Sequence, residues 1–496
     1  MDIQFNRIPR LLTIALYGPE IQEVSSLAYN SADVQKGSAF FCITGENTDG
    51  HLYIGEAISK GASAIIGTDN LCLKNFAELH GDVTFLTVED SRQALAWTSI
   101  HFYNHAQDRL IKVGVTGTNG KTTTATYVYN LFNLLGIPCG FLGTTGIWDS
   151  KGKMPYKKST PTTPISSDIH QVFSQLVSHG DRAAAMEVSS IALDQKRVEG
   201  IAFDVAIHTN ISEEHLEYHH TFDHYLKSKL LLFKQAKSAV INLDDEGMAQ
   251  DILSIVDYPA LTYSRFRNSG ADLVWDNIQV TGNGMQFDLQ YKGRSYLAEI
   301  PLYGEYNAGN LTAAIGAALL AGAEIEQVIA VLPNMSQVEG RFQVIEGPES
   351  RKIILDYAHT PVALDFVLRE VKKLQHNRLI ALIAGIGIRD FAKMPKMARA
   401  AEGKADVLIV TVDHPGFNDP DDVINEVLKG FSVPYKQSVV TAPSRREAVI
   451  AALKESGPND IVLLSSGCIN GAQIVNGEHI PHSDEEIIEG FFLQQN

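Results

Sequence analysis

Short continuous apolar runs recur along this chain, separated by stretches whose apolar positions repeat with a helical period. Ala39–Ile43, Ala64–Ile66 and Val83–Val88 read as buried strands, with a helix over Ile54–Lys60 ending at Gly61. Leu110–Val115 starts a second series, followed by a helix over Thr122–Leu135 and by strands at Ala183–Met186, Val205–His208 and Ser238–Asn242. A third series comprises Lys352–Leu355, Leu379–Ile383, Val407–Val412 and Ile461–Leu464. Strands alternating with helices predict an α/β protein with mostly parallel sheets and crossover helices. The pattern divides into three domains, over residues 1–107, 108–335 and 336–496. Leu273–Ile300 departs from it: its alternation around Gly282-Asn283-Gly284 predicts an antiparallel hairpin.

Composition narrows the function. An apolar fraction of 45% and a charged fraction of 20% are those of a soluble globular protein. A formal net charge of -17 argues against a broad nucleic-acid surface but leaves room for one basic phosphate pocket. Cys42, Cys72, Cys139 and Cys468 show neither metal spacing nor a pairing pattern, as expected of reduced thiols in the cytosol. Met1–Arg10 has no apolar signal core, and Leu311–Ala323 is too short to span a bilayer, so no membrane insertion is expected.

The chemistry centres on Lys112–Thr124. A strand breaks into Gly117-Thr118-Asn119-Gly120, then Lys121, Thr122 and Thr123 open a helix. This is the layout of a phosphate-binding loop for a nucleoside triphosphate. Lys121 adds a point charge near the outer phosphates, and Thr122 is placed to bind Mg²⁺ through its hydroxyl. Only two residues separate Gly117 from Gly120, where the common pattern has four. Glu187 and Asn210 follow strand ends, and in such sheets strand ends converge on one crevice. Glu187 suits a Mg²⁺ ligand there. His215 and His219 have the four-residue spacing of a helical zinc pair, but the local sequence is not His-Glu-x-x-His and no cysteine is near. One histidine serving Mg²⁺ is the better reading. Lys227 and Lys229 cannot share a helix face, so one should be solvated and the other turned inward. A buried lysine has a depressed pKa and a reactive amine, able to take up CO₂ as a carbamate.

Several stretches together resemble the Mur ligases, and within them the MurE type, over essentially the whole chain. They are Thr116–Thr123 with its shortened glycine spacing, Met186–Ser190, Thr209–Ser212, His215–His219, Gly304–Asn310, Gly340–Phe342 and Asp356–Pro361, in this order. The resemblance implies a UDP-substrate domain, a central ATPase domain and a Rossmann-like C-terminal domain that receives an amino acid. It implies ATP and two Mg²⁺ ions, held by Thr122 and Glu187 and by His215 and a carbamate on Lys229. Asn307 and Asn310 fall on asparagines near adenine, Asp356 on a ribose-side acid, and Arg341 on an arginine that reaches ATP on domain closure. Thr162, Thr163, Ser189, Gln195 and Arg197 fall on positions holding the muramoyl substrate, and Ser31, Glu46, Asn47 and Thr48 on its uridine end. Arg389 falls on an amino-acid-binding arginine. The implied reaction is acyl phosphate formation on a UDP-linked dipeptide, followed by attack of an amino acid's amine.

This chain leaves the family pattern at recognition. The Asp-Asn-Pro-Arg of enzymes adding meso-diaminopimelate is here Asp413-His414-Pro415-Gly416, and the family's Gly-Lys-Gly-His-Glu glutamate falls on Asn470. Each lost charge-assisted contact is worth roughly 1.5–3 kcal/mol, which disfavours diaminopimelate. The uridine-side Asp-Ser-Arg is Asn30-Ser31-Ala32, Ser-Ser-His is Ser189-Ser190-Ile191, and Pro161 replaces an asparagine. Two expectations follow: a wall-precursor ligase taking another amino acid, or a paralogue joining a different acid and amine.

Overall fold

The computed structural model describes residues 1–45, 48–156, 159–467 and 471–494. The chain forms two compact units, one of residues 1–276, 288–296 and 309–332, the other of 277–287, 297–308 and 333–496.

Two sheets dominate the first unit, beside a short antiparallel pairing of Asp2–Ile3 with Gln22–Glu23. The smaller runs Thr13–Tyr17, Thr84–Val88, Ala64–Gly67, Ser38–Phe41, Ser26–Ala28, parallel except at Thr13–Tyr17. In the larger, Cys139–Gly143, Ala183–Glu187, Ile111–Thr116, Val205–His208, Ala239–Asn242, Ala260–Ser264 and Leu273–Thr281 neighbour one another in that order. These pairings are all parallel. Gly146–Asp149 and Gly152–Lys153 add an antiparallel edge. Ile111–Thr116 lies between Ala183–Glu187 and Val205–His208, so their carboxyl ends adjoin. That is the expected convergence of the phosphate loop, Glu187 and Asn210.

The predicted strands all form, most within a residue or two of the expected bounds. The strand Cys139–Gly143 was not predicted; two glycines and a cysteine in five residues hide it. Leu273–Ile300 forms three strands rather than two, because Lys292 and Gly293, at φ 48° and 75°, make a second turn after the one at Gly282-Asn283.

The second unit is built on a sheet ordered Gln343–Glu346, Lys352–Asp356, Ile461–Ser465, Leu379–Ile386, Val407–Asp413, Val440–Thr441, parallel beyond its first pair. Both faces are buried: Ile354, Ala381, Val410 and Leu463 pack on one, Ile353, Ile380, Ile409 and Val462 on the other. This double burial explains why the strands read as unbroken apolar runs. Behind the sheet end, Arg445 is fully buried and grips Asp484 through Nε at 3.1 Å and Nη2 at 2.6 Å, while Nη1 donates to Ser465 O at 3.0 Å. Burial alone pushes the Asp484 carboxyl up, but Arg445 and His482 outweigh it and hold the group well below the carboxylate range. Removing one partner strands a buried charge. Arg445→Met is therefore expected to cost about 3–5 kcal/mol by urea denaturation, with partial recovery on adding Asp484→Leu. A loss under about 1 kcal/mol would show that the pair contributes little.

Candidate functional site

The phosphate loop is fastened to the neighbouring strand end. Thr118 N donates to Asn210 O at 2.8 Å, Asn119 N to Asn210 Oδ1 at 2.9 Å, and Thr209 Oγ1 to Asn119 O at 2.6 Å. Gly117 has φ 151°, and a Cβ there would stand 1.9 Å from Thr209 Oγ1, so only glycine fits. The helix starts at Lys121 after Gly120 in the left-handed region. Lys121 Nζ folds over the loop, donating to Gly117 O at 2.8 Å and Thr118 O at 2.9 Å. Thr123 is buried in the helix's first turn, and Thr124 Oγ1 donates to Asn310 Oδ1 at 3.3 Å, which brings Asn310 to the loop.

Glu187, 1% exposed, ends the strand beside the loop. Its carboxylate accepts from Thr144 N at 2.6 Å, Thr122 Oγ1 at 2.9 Å and Thr144 Oγ1 at 3.2 Å. Thr122 and Glu187 are thus brought together as a hard oxygen pair, which suits Mg²⁺, an ion usually held by one or two carboxylates with phosphates and water. Among the described residues no group of three or more His, Cys, Asp or Glu side chains is arranged to hold a metal.

Lys229 is the inward lysine and Lys227 the solvated one. Lys229 Nζ donates to Gly117 O at 2.8 Å and lies 4.5 Å from the centre of the Tyr225 ring. Burial, reinforced by Lys121, holds its amine well below the ordinary lysine value. His215 has φ 57° and caps a helix of only four residues, Leu216–His219, so His215 and His219 do not share a helix face. The His215 ring is half-exposed and sits 6.3 Å from the Tyr225 ring.

The acid-side residues form one connected patch. Thr163 Oγ1 donates to Glu187 O at 2.9 Å and accepts from Ser189 N at 3.0 Å. Arg197 Nη1 donates to Thr163 O at 2.8 Å, and Arg197 Nη2 to Gln195 Oε1 at 2.7 Å. Thr162 Oγ1 lies 3.4 Å from Thr144 Oγ1. Burial, then Arg92, lowers Arg197 to about 10, which leaves it charged at neutral pH. Ser31 donates to Glu56 Oε2 at 2.9 Å and Thr48 to Tyr53 OH at 3.2 Å, bonds internal to the small sheet's region. Glu46, Asn47 and Asn470, with Cys468, lie outside the described residues.

In the second unit, Asp356 ends its strand with Oδ2 accepting from Phe342 N and Oδ1 from Ala358 N, both at 2.9 Å. Burial raises its carboxyl against the pull of Arg341, whose guanidinium lies 5.1 Å from the Tyr357 ring. Asn307 is buried and donates to Tyr303 O at 2.7 Å. Arg389 is exposed just beyond the strand Leu379–Ile386. Asp413, 1% exposed, accepts from Gln473 Nε2 at 2.6 Å, and His414 Nδ1 accepts from Ile474 N at 3.1 Å.

Sequence reasoning missed Thr144 and Tyr225. Thr144 follows the hidden strand; Tyr225 OH lies 3.0 Å from Thr118 Oγ1.

The short glycine loop, its lysine and hydroxyl, and the buried carboxylate of the adjacent strand define a phosphate-loop protein of the α/β class. The sequence matches the family descriptions "Mur ligase family, catalytic domain" over residues 23–103, "Mur ligase middle domain" over 115–318 and "Mur ligase, glutamate ligase domain" over 340–468. It is 33% identical over 469 residues to the UDP-N-acetylmuramoyl-L-alanyl-D-glutamate–2,6-diaminopimelate ligase of Clostridium tetani, covering 94% of each chain. To the ligase of the same name from Geobacillus kaustophilus it is 35% identical over 474 residues, again covering 94% of each. A solved structure of a diaminopimelate ligase of that name superposes with a TM-score of 0.70 at 28% identity, covering 100% of this chain and 99% of the other. The chain belongs to the Mur ligase family.

Proposed function

We propose that this protein is an ATP-dependent ligase that joins the amine of an amino acid to a carboxylate on a UDP-N-acetylmuramoyl-linked dipeptide. The observation that carries this reading is Glu187 bonded to Thr122 at the mouth of the short glycine loop, with Lys121 and Lys229 both turned onto Gly117 O. Similarity to diaminopimelate ligases over 94% of the chain supplies the substrate class.

In this reading a carboxylate oxygen of the acid attacks the γ-phosphorus of ATP, and ADP leaves. The amine nitrogen then attacks the acyl carbon, loses a proton and expels phosphate, leaving an amide. Lys121 offsets charge developing on the phosphoryl oxygens. Thr163, Ser189, Gln195 and Arg197 orient the acid. Mg²⁺ held by Thr122 and Glu187, with a second ion at His215 and a Lys229 carbamate, would supply further charge compensation. Arg341, Asp356, Asn307 and Asn310 are the proposed nucleotide contacts, and Ser31 and Thr48 the proposed uridine-side ones. The three-domain division at 107 and 335 is part of the same proposal.

A second reading, a paralogue acting on another acid and amine, is favoured by the turn after Asp413. Gly416 has φ 64°, and a Cβ there would stand 2.7 Å from Ile388 Cγ2. An arginine in this turn would be strained and would have to displace Ile388, and exposed Ile388 and Phe417 flank the position. In phosphate-release assays across amines, amino acids with neutral side chains should outpace meso-diaminopimelate by about tenfold or more, the value of one lost charged contact. Diaminopimelate as the best amine would overturn this. Strict dependence on the UDP-dipeptide would reject the paralogue.

A further inference from the structure

Beyond Glu187 the chain enters a helix of five residues, Ser190–Asp194. So short a helix does not hold itself in place by its own backbone bonds. Side chains from the stretch after His215 fasten it at both ends. His219, 1% exposed, places Nε2 at 2.9 Å from Ser190 Oγ. His219 Nδ1 lies 3.3 Å from His224 Nδ1, and His224 Nε2 lies 3.1 Å from Asp194 Oδ1. Tyr218 OH adds a donation to Asp194 Oδ2 at 2.7 Å. Ser190 and Asp194 are four residues apart and share a helix face, so the four side chains close a ring.

The ring is continuous with the phosphate loop. The His219 ring packs 5.2 Å from that of Tyr225, whose hydroxyl meets Thr118 Oγ1 and over whose face Lys229 Nζ sits. Burial, then His224, lowers His219 to about 4, against the opposing pull of Asp194; His215 and Lys229 add to the lowering. The ring is therefore neutral at physiological pH, with one N–H and one lone pair, and it bridges two partners as donor to one and acceptor from the other. Nothing in the ligase chemistry uses these four groups directly.

We propose that Ser190, His219, His224 and Asp194 form a positioning clamp, which fixes the short helix bearing Ser189 at its start and Gln195 and Arg197 at its end. The clamp aims the acid-binding residues at the phosphate loop. It rests on the ligase reading for its role but not for its existence, and the test separates the two. In the full-length protein, His219→Leu breaks the bridge and His219→Gln keeps one donor and one acceptor. Amide hydrogen exchange over 189–197 should accelerate about tenfold in the leucine variant and under about threefold in the glutamine variant, with residues 117–123 unchanged. In phosphate-release kinetics the leucine variant should raise KM for the acid about tenfold and leave KM for ATP within about twofold. If the leucine variant does not fold, Asp194→Ala removes both acceptors at the outer, partly exposed end of the ring and gives the same two readouts. Unchanged exchange over 189–197, uniform acceleration across the chain, or a parallel rise in both KM values overturns the clamp. A wild type inactive with every acid and amine overturns the ligase reading instead, and the exchange pattern still decides the clamp.

Discussion

Lys229→Ala is expected to lower ligase turnover on the order of 10³-fold, and formate or acetate to restore part of it. Lys229 is fully enclosed, its Nζ donates to Gly117 O at 2.8 Å, and burial together with Lys121 favours the neutral amine. Two lysines turned onto one carbonyl oxygen repel each other while both are charged. Carbamylation reverses the sign: the amine nitrogen bonds to the carbon of CO₂, a proton leaves, and a carboxylate stands beside Lys121. That anion would give a second Mg²⁺ near His215 a charged oxygen ligand, alongside Glu217, 3.4 Å from the His215 ring, and Glu214, whose charge acts on Lys229. The alanine variant opens space that a small carboxylate fills. Lys229→Met keeps the volume and should show the same loss without rescue. Retention of more than about a tenth of wild-type turnover in the alanine variant, or equal rescue of both variants, would sink the carbamate.

What the sequence revealed and what it concealed divide along physical lines. The phosphate loop was legible because a strand end, two glycines, a lysine and a hydroxyl are consecutive, and each constrains its neighbour. That one of Lys227 and Lys229 turns inward followed from periodicity, and the family resemblance pointed to Lys229, which is the buried one. Glu187 was legible as a strand end. Its partner Thr144 was not, because the strand before it, Cys139–Gly143, has neither β-branched residues nor alternation and is held by non-local pairing with Ala183–Met186. The histidine run misled in a specific way. Its spacing is helical, but His215 adopts φ 57° and the helix begins after it, so only His219 and His224 meet. Side-chain rings closed across loops leave no periodic trace in a sequence.

The second large effect falls on Glu187. Glu187→Gln keeps the shape of the side chain and replaces one acceptor oxygen by an NH₂ group. In the present arrangement both oxygens accept, one from Thr144 N, the other from the hydroxyls of Thr122 and Thr144. The amide oxygen can keep the Thr144 N bond only if the NH₂ turns to the two hydroxyls, which must then accept rather than donate, and the negative charge beside the phosphate loop is gone. The loss in kcat/KM should be about 10²–10³-fold, and the Mg²⁺ concentration giving half-maximal rate should rise, since the charged member of the Thr122–Glu187 pair has been removed. Glu187→Asp retains the charge but withdraws it by one methylene, so it should fall between wild type and Gln and recover further with added Mg²⁺. Thermal midpoints of the three proteins separate this from unfolding, because one weakened buried hydrogen bond costs only about 1–3 kcal/mol. A glutamine variant within about threefold of wild type at low Mg²⁺ would remove Glu187 from the metal site. Such a result would leave it the narrower task of fixing Thr122 and Thr144, the two hydroxyls that meet its carboxylate.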